Sequence, residues 1–135
     1  MIPPPLHLLK EHPYREDCTR IFHQACAYWL RMKTPIPFGI ILMRDRRIKT
    51  VTYPKRNPKE PVIEWLQQTF QNTSRGRAFG VCYRADIQAK VPMTVLRVIV
   101  QHKKGGKPLV FYVPESAPER WWIEEGSAFL WGKSP

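Results

Sequence analysis

From Phe79 to Gln88 apolar and polar side chains trade places at every step: Phe79, Val81, Tyr83, Ala85 and Ile87 against Gly80, Cys82, Arg84, Asp86 and Gln88. A period of two marks a strand with one buried face. The next run, Val95 to His102, is rich in β-branched residues and puts Leu96, Val98 and Val100 on one face, Arg97 and Gln101 on the other. Lys103, Lys104, Gly105, Gly106, Lys107 and Pro108 break that pattern with two glycines free to take positive φ, which predicts a hairpin. Leu109 to Val113 returns as a third strand with almost no polar positions, central or covered on both faces, and Pro114 ends it because proline has no N–H for a ladder. Arg77 to Pro114 therefore reads as three consecutive antiparallel strands. Whether the apolar third strand is interior or is itself a homodimer seam stays open at this level.

The period changes upstream. Cys18, Ile21, Phe22, Ala25, Trp29 and Met32 recur at three and four residues, predicting an amphipathic helix from Tyr14 to Met32, with Glu16 and Asp17 suiting its positive end and Arg31 and Lys33 its negative end. Thr34, Pro35, Ile36 and Pro37 stop it. The apolar run Phe38 to Met43 reads as a buried strand, Asp45, Arg46 and Arg47 as a turn, and the weakly alternating Ile48 to Tyr53 as the returning arm of a hairpin. Asn57, Pro58, Lys59 and Glu60 have the form of a capping box, so a second helix is expected to begin there, striped by Val62, Ile63, Leu66 and Phe70 with Trp65 beside them. Ser116, Ala117, Pro118 and Glu119 repeat that logic and predict a short helix or turn through Trp121, Trp122 and Ile123; Phe129, Leu130 and Trp131 are apolar enough to dock as an edge strand. Residues 1–13, with Pro3, Pro4, Pro5 and Pro13, are expected to form an extended arm on which His7 and His12 are solvated.

The order α-β-β-α-β-β-β plus a short C-terminal element predicts a single α+β domain over residues 14–135. Its expected form is a mostly antiparallel five-stranded sheet with the two amphipathic helices packed on one face. Such orders host unrelated functions, so function has to be argued from particular residues.

Charge sharpens the picture. The 135 residues carry 22 Lys and Arg against 11 Asp and Glu, a net charge of +11 that favours polyanionic partners. Between Arg44 and Lys59 seven basic residues oppose Asp45 alone, and between Arg75 and Lys107 eight oppose Asp86 alone, whereas Glu115 to Glu125 holds four glutamates and one arginine. Three cysteines, Cys18, Cys26 and Cys82, cannot all pair, and the first residues lack the pattern of a signal peptide, so a reducing cytoplasm is the expected compartment. No apolar stretch approaches the roughly 20 residues that span a bilayer, and no membrane contact is expected.

Chemical motifs are few. The sequence has no Walker loop, dinucleotide fingerprint, HExxH or CxxC, and neither cofactor nor metal is expected. His23 and Cys26 stand three apart on the first helix, and Cys82, Arg84 and Asp86 share a strand face that His102 could join; either set could serve a small enzyme, a third reading in which Cys82 and His102 take the leading roles. The stronger expectation is a basic binding protein without catalytic activity that contacts nucleic acid or another polyanion. Its contacts would be Arg44, Arg46, Arg47, Lys55, Arg56 and Lys59 around one hairpin, Lys103, Lys104 and Lys107 on another, and Tyr53 as a stacking aromatic. A polyanion partner requires those two hairpins to share one continuous surface. The alternative is a module that binds one other protein, of the inhibitor or toxin-neutralising kind, through Trp121, Trp122 and Trp131.

Overall fold

The structure, a computed structural model, describes residues 6–32, 37–52, 62–88 and 90–126. Along the chain run α1 (Leu6–Lys10), α2 (Arg15–Arg31), β1 (Phe38–Met43), β2 (Ile48–Thr52), α3 (Val62–Gln71), β3 (Gly76–Ile87), β4 (Met93–His102), β5 (Leu109–Pro114), a single 3₁₀ turn (Pro118–Arg120) and β6 (Trp122–Glu125). The six strands make one antiparallel sheet in the order β2-β1-β3-β4-β5-β6. The α+β class and the antiparallel sheet agree with the alternation read from the sequence.

Three features differ from expectation. The sheet has a sixth strand, because Trp122–Glu125 pairs with β5 instead of continuing the 3₁₀ turn. β5 is thereby interior to the sheet, and its Leu109, Phe111 and Val113 pack into the core on the α2 side. Second, Leu6–Lys10 coils into one turn of helix rather than extending, and lets Leu8 and Leu9 pack against the core.

Third, the two long helices lie on opposite faces of the sheet, not on one. α2 sends Cys18, Ile21, Phe22 and Ala25 against Phe38, Ile40, Ala78, Cys82, Leu96 and Phe111. α3 sends Leu66 and Phe70 against Ile41, Met43, Phe79 and Val81. The cause is β1, which is buried at all six positions and so needs cover on both sides. Two glycines mark where the helices press closest. A Cβ on Gly39 would sit 2.7 Å from the Phe70 ring, and one on Gly80 would sit 2.6 Å from an Ile21 methyl.

Strand direction decides which loops meet. Met43 at the end of β1 pairs with Gly76 at the start of β3, and Ala78 pairs with His102 at the end of β4. The β1–β2 turn, the α3–β3 junction and the β4–β5 hairpin therefore share one end of the sheet, here called the near end. Tyr53, Lys55, Arg56, Lys59, the Asn57 capping box and Trp131 lie outside the described residues. No described helix is long and apolar enough to cross a membrane.

Candidate functional site

The near end is stitched by backbone hydrogen bonds between its loops. The Arg44 N–H donates to the Arg75 carbonyl (2.9 Å) and the Lys103 N–H to the Arg77 carbonyl (3.0 Å). Between them opens a cleft of about 560 Å³ lined by Arg44, Gly76, Arg77, Lys103 and Lys104. Arg44 of the first hairpin and Lys103 and Lys104 of the second, nearly sixty residues apart in sequence, thus line the same cleft. At the near end Arg47 is paired with Asp45, Arg77 with Asp17, and Lys107 with Glu125. Among the described residues, Arg44, Arg46, Arg75, Lys103 and Lys104 have no carboxylate within salt-bridge distance, and all five are exposed.

The cleft is anchored from beneath by Asp17 on α2. One of its oxygens, Oδ2, lies 2.8 Å from Arg77 Nε and 2.8 Å from His102 Nε2. His102 is fixed in one tautomer: the Lys104 N–H donates to Nδ1 (3.1 Å), so the ring proton sits on Nε2 and is given to Asp17. Burial lowers the His102 pKa from 6.5, against the pull of Asp17, so the imidazole is neutral at pH 7. Tyr14 stacks flat on that ring, centroids 3.8 Å apart and planes within 8°. His12 is buried rather than solvated: its Nδ1 accepts the Tyr14 N–H (3.0 Å), and its Nε2 therefore donates to the Lys107 carbonyl (2.9 Å). Both histidines bind the α2 entrance to the β4–β5 hairpin, holding Lys103 and Lys104 in place. Arg20 adds a further tie, donating to the Arg46 carbonyl (3.0 Å).

Arg46 is itself unusual. The Met43 N–H reaches the Arg47 carbonyl (2.8 Å) and the Arg46 N–H the Met43 carbonyl (2.9 Å), a three-residue hairpin loop that needs a left-handed residue at its third position. Arg46 takes it, with φ at 72°.

The cysteine and histidine pairings are not assembled. Cys82 faces α2 and is 0% exposed, and its strand partner Val98 lies four positions from His102, about 13 Å along the ladder. Burial raises the Cys82 pKa well above 9.0, which keeps it a thiol. Arg84 pairs with Glu115 and Asp86 accepts from Thr94, so those two do not pair with each other. His23 is exposed while Cys26 is half-buried, its pKa pushed up to about 11 by burial. Among the described residues no group of three or more His, Cys, Asp or Glu is placed to hold a metal.

The tryptophans divide across the sheet. Trp121 packs on Phe22 (5.0 Å) and caps the core on the α2 side. Trp122 points to the other face, stacks on Tyr112 (4.9 Å, 9°), and borders a larger recess of about 680 Å³ at the far end with Val91, Met93, Pro114 and Arg120. Arg97 is sandwiched between Tyr112 and Tyr83, continuing that row across four strands. The recess has the greater volume, but the near end holds the convergent unpaired charge, and phosphate chemistry calls for charge.

Sequence reasoning did not single out Tyr14, Asp17, Arg20, Arg75 or Arg77 for this site. Arg75 and Arg77 were visible as charge just before a strand, but only the fold places them between the two hairpins. No protein-family model matches the chain, and neither a curated protein nor a solved structure is similar to it at a significant level.

Proposed function

We propose that the chain is a binding protein for a nucleic acid strand or a comparable polyanion, held across the near end of the sheet. The observation that carries this reading is that three exposed cations without carboxylate partners among the described residues, Arg44, Lys103 and Lys104, line one cleft, with exposed Arg46 and Arg75 in the adjoining loops. Like charges so gathered repel one another, and an anionic ligand removes that cost while releasing its own counterions. The strained Arg46 supports it further, since a left-handed arginine in a loop suited to glycine is a local sacrifice of stability at the cationic surface. A cytoplasmic setting goes with this reading, supported by three free cysteines.

The test is a binding titration against a single-stranded oligonucleotide at several salt concentrations. Five phosphate contacts give a log–log slope of about −3.5, hence roughly a hundredfold loss between 50 and 200 mM salt. Lys103→Glu with Lys104→Glu should weaken binding strongly and flatten that slope. A salt-insensitive response, or an unchanged double variant, overturns the reading.

A protein partner seated in the far recess is the second reading, favoured by Trp122 on its border and by Val91, 71% exposed beside it. It expects one stoichiometric protein to be recovered from a native lysate by the wild type and lost with Trp122→Ala. Recovery that survives the substitution refutes it.

A further inference from the structure

We propose that the ligand of the near end is a strand with unpaired bases, one of which stacks on Tyr14 while its neighbouring phosphates enter the cationic cleft; this rests on the polyanion reading above and adds the base. Tyr14 is held at three points: its N–H to His12, its carbonyl by the Cys18 N–H (3.1 Å), and its ring flat on His102. The ring is half-buried, with His102 flat against one face and His12 edge-on at 6.3 Å, so it has little rotamer freedom left to lose on binding.

Tyr14 borders a groove of about 220 Å³ together with Pro13, Arg15, Glu16, Asp17 and Arg77. Two cations and two acids line it, so it does not favour phosphate. Its lining combines donors, acceptors and an aromatic residue, the chemistry that recognises a flat polar heterocycle. Its volume is below the roughly 300 Å³ at which pockets for drug-sized ligands begin, so it suits one base rather than a whole nucleotide.

Arg77 lines both this neutral groove and the cationic cleft. The two compartments therefore meet at one residue, Arg77, whose guanidinium Asp17 holds at 2.8 Å. A ligand in which a base and a phosphate are joined through a sugar can occupy both at once. A base inside a duplex cannot reach the ring without leaving its stack, so single strands are selected over duplex. The aromatic residue of the site is thus Tyr14 at the N-cap of α2, contributed by a part of the chain remote in sequence from either basic hairpin.

The experiment uses the full chain and compares, by fluorescence anisotropy, a single-stranded 12-mer, the same backbone carrying abasic sites, the matching duplex, and a nucleoside triphosphate. The base-bearing strand should bind about tenfold more tightly than the abasic one, as expected for one base on one aromatic ring. Tyr14→Phe should keep that ratio, Tyr14→Leu should bring it to one, and Lys103→Glu with Lys104→Glu should weaken both strands together and leave it intact. The ratio measured on the unaltered chain stands even if Tyr14→Leu does not fold. Equal affinity for base-bearing and abasic strands overturns the stacking site while leaving the polyanion reading in place, whereas no binding to either removes both. A duplex that binds as tightly as the single strand also overturns it. A triphosphate that binds as tightly as the strand supports the paired compartments and identifies a free nucleotide as the source of the base.

Discussion

Replacing Arg46 by glycine should make the protein more stable and a poorer binder. The left-handed conformation of Arg46, φ 72°, costs a residue with a Cβ about 1–2 kcal/mol. Glycine relieves this but gains freedom in the unfolded chain, which takes back about 0.4–1 kcal/mol. Little else changes. Arg46 is exposed, has no carboxylate partner among the described residues, and the bond from Arg20 goes to its backbone carbonyl, which glycine keeps. The net gain is about 0.5–1 kcal/mol, seen as a higher urea midpoint at unchanged m and a Tm raised by about 2–3 °C. Binding should move the other way: one lost phosphate contact lowers the salt slope for a single strand by about 0.7. Arg46→Asn, which also tolerates the left-handed region, should behave similarly in both assays. A destabilised Arg46→Gly would mean that the loop is not strained. A stabilised variant with an unchanged salt slope would show that Arg46 makes no ligand contact.

Three further outcomes follow from the packing and the buried groups. Gly80→Ala drives a methyl to 2.6 Å from Ile21 at the α2–sheet contact and should lower stability by about 1–3 kcal/mol in urea unfolding; an unchanged midpoint would mean that α2 can move aside freely. His102, with its pKa lowered from 6.5 by burial, releases its proton more readily when folded than when unfolded, so its contribution is complete above pH 6.5 and is lost as pH falls through the folded-state value. Stability curves of wild type and His102→Gln should therefore diverge in slope below pH 6.5, and parallel curves would refute the assignment of the buried neutral imidazole. Burial pushes the Cys18 pKa up to about 12 and that of Cys26 up to about 11, and raises Cys82 as well, so a thiol reagent at pH 7.5 should label the native chain far more slowly than the urea-unfolded chain. Rapid labelling of Cys26 in the native chain would contradict its placement against the core.

What the sequence reveals of this fold is what one element can express about itself. The stripe at Cys18, Ile21, Phe22 and Ala25 gives α2 to within a residue at either end, and the run Phe38–Met43 gives β1 without error. What involves two elements is harder to read. Six consecutive apolar residues state that β1 is covered on both faces but not by which helix. Trp121 and Trp122 are adjacent large aromatics, and only the pairing of β6 with β5 sends one into the α2 core and the other across the sheet. His12 looks like part of a proline-rich arm until the Lys107 carbonyl, 95 residues away, supplies its partner. The same holds for the site. Its lysines and arginines are legible as turn residues, while Asp17, which orients Arg77 and His102 from another element, carries no local sign beyond a favourable place near a helix N-terminus.

The convergence itself depends on parity, and α3 sets it. β2 begins at the near end beside Arg47 and finishes at the far end with Thr52. Had a short turn joined it to a neighbouring strand, that strand would have started at the far end, and each later hairpin would have been displaced with it. The β4–β5 loop with Lys103 and Lys104 would then stand a full strand length from Arg44 and Arg46. Instead the connection holding α3 carries the chain back along the sheet, so that β3 starts at Gly76 opposite Met43 and Arg75 and Arg77 arrive between the two basic hairpins. The crossover also inserts β3 beside β1 rather than beside β2, which leaves β2 at the edge and both faces of β1 in need of cover. One return helix therefore accounts for the buried central strand, for the second layer on the sheet, and for the concentration of cations at a single end. Charge balance alone would have scattered those cations, since repulsion among them opposes the arrangement that the backbone enforces. The fold holds this repulsion in place through Asp17, His12 and His102, none of which needs to touch a ligand to do so.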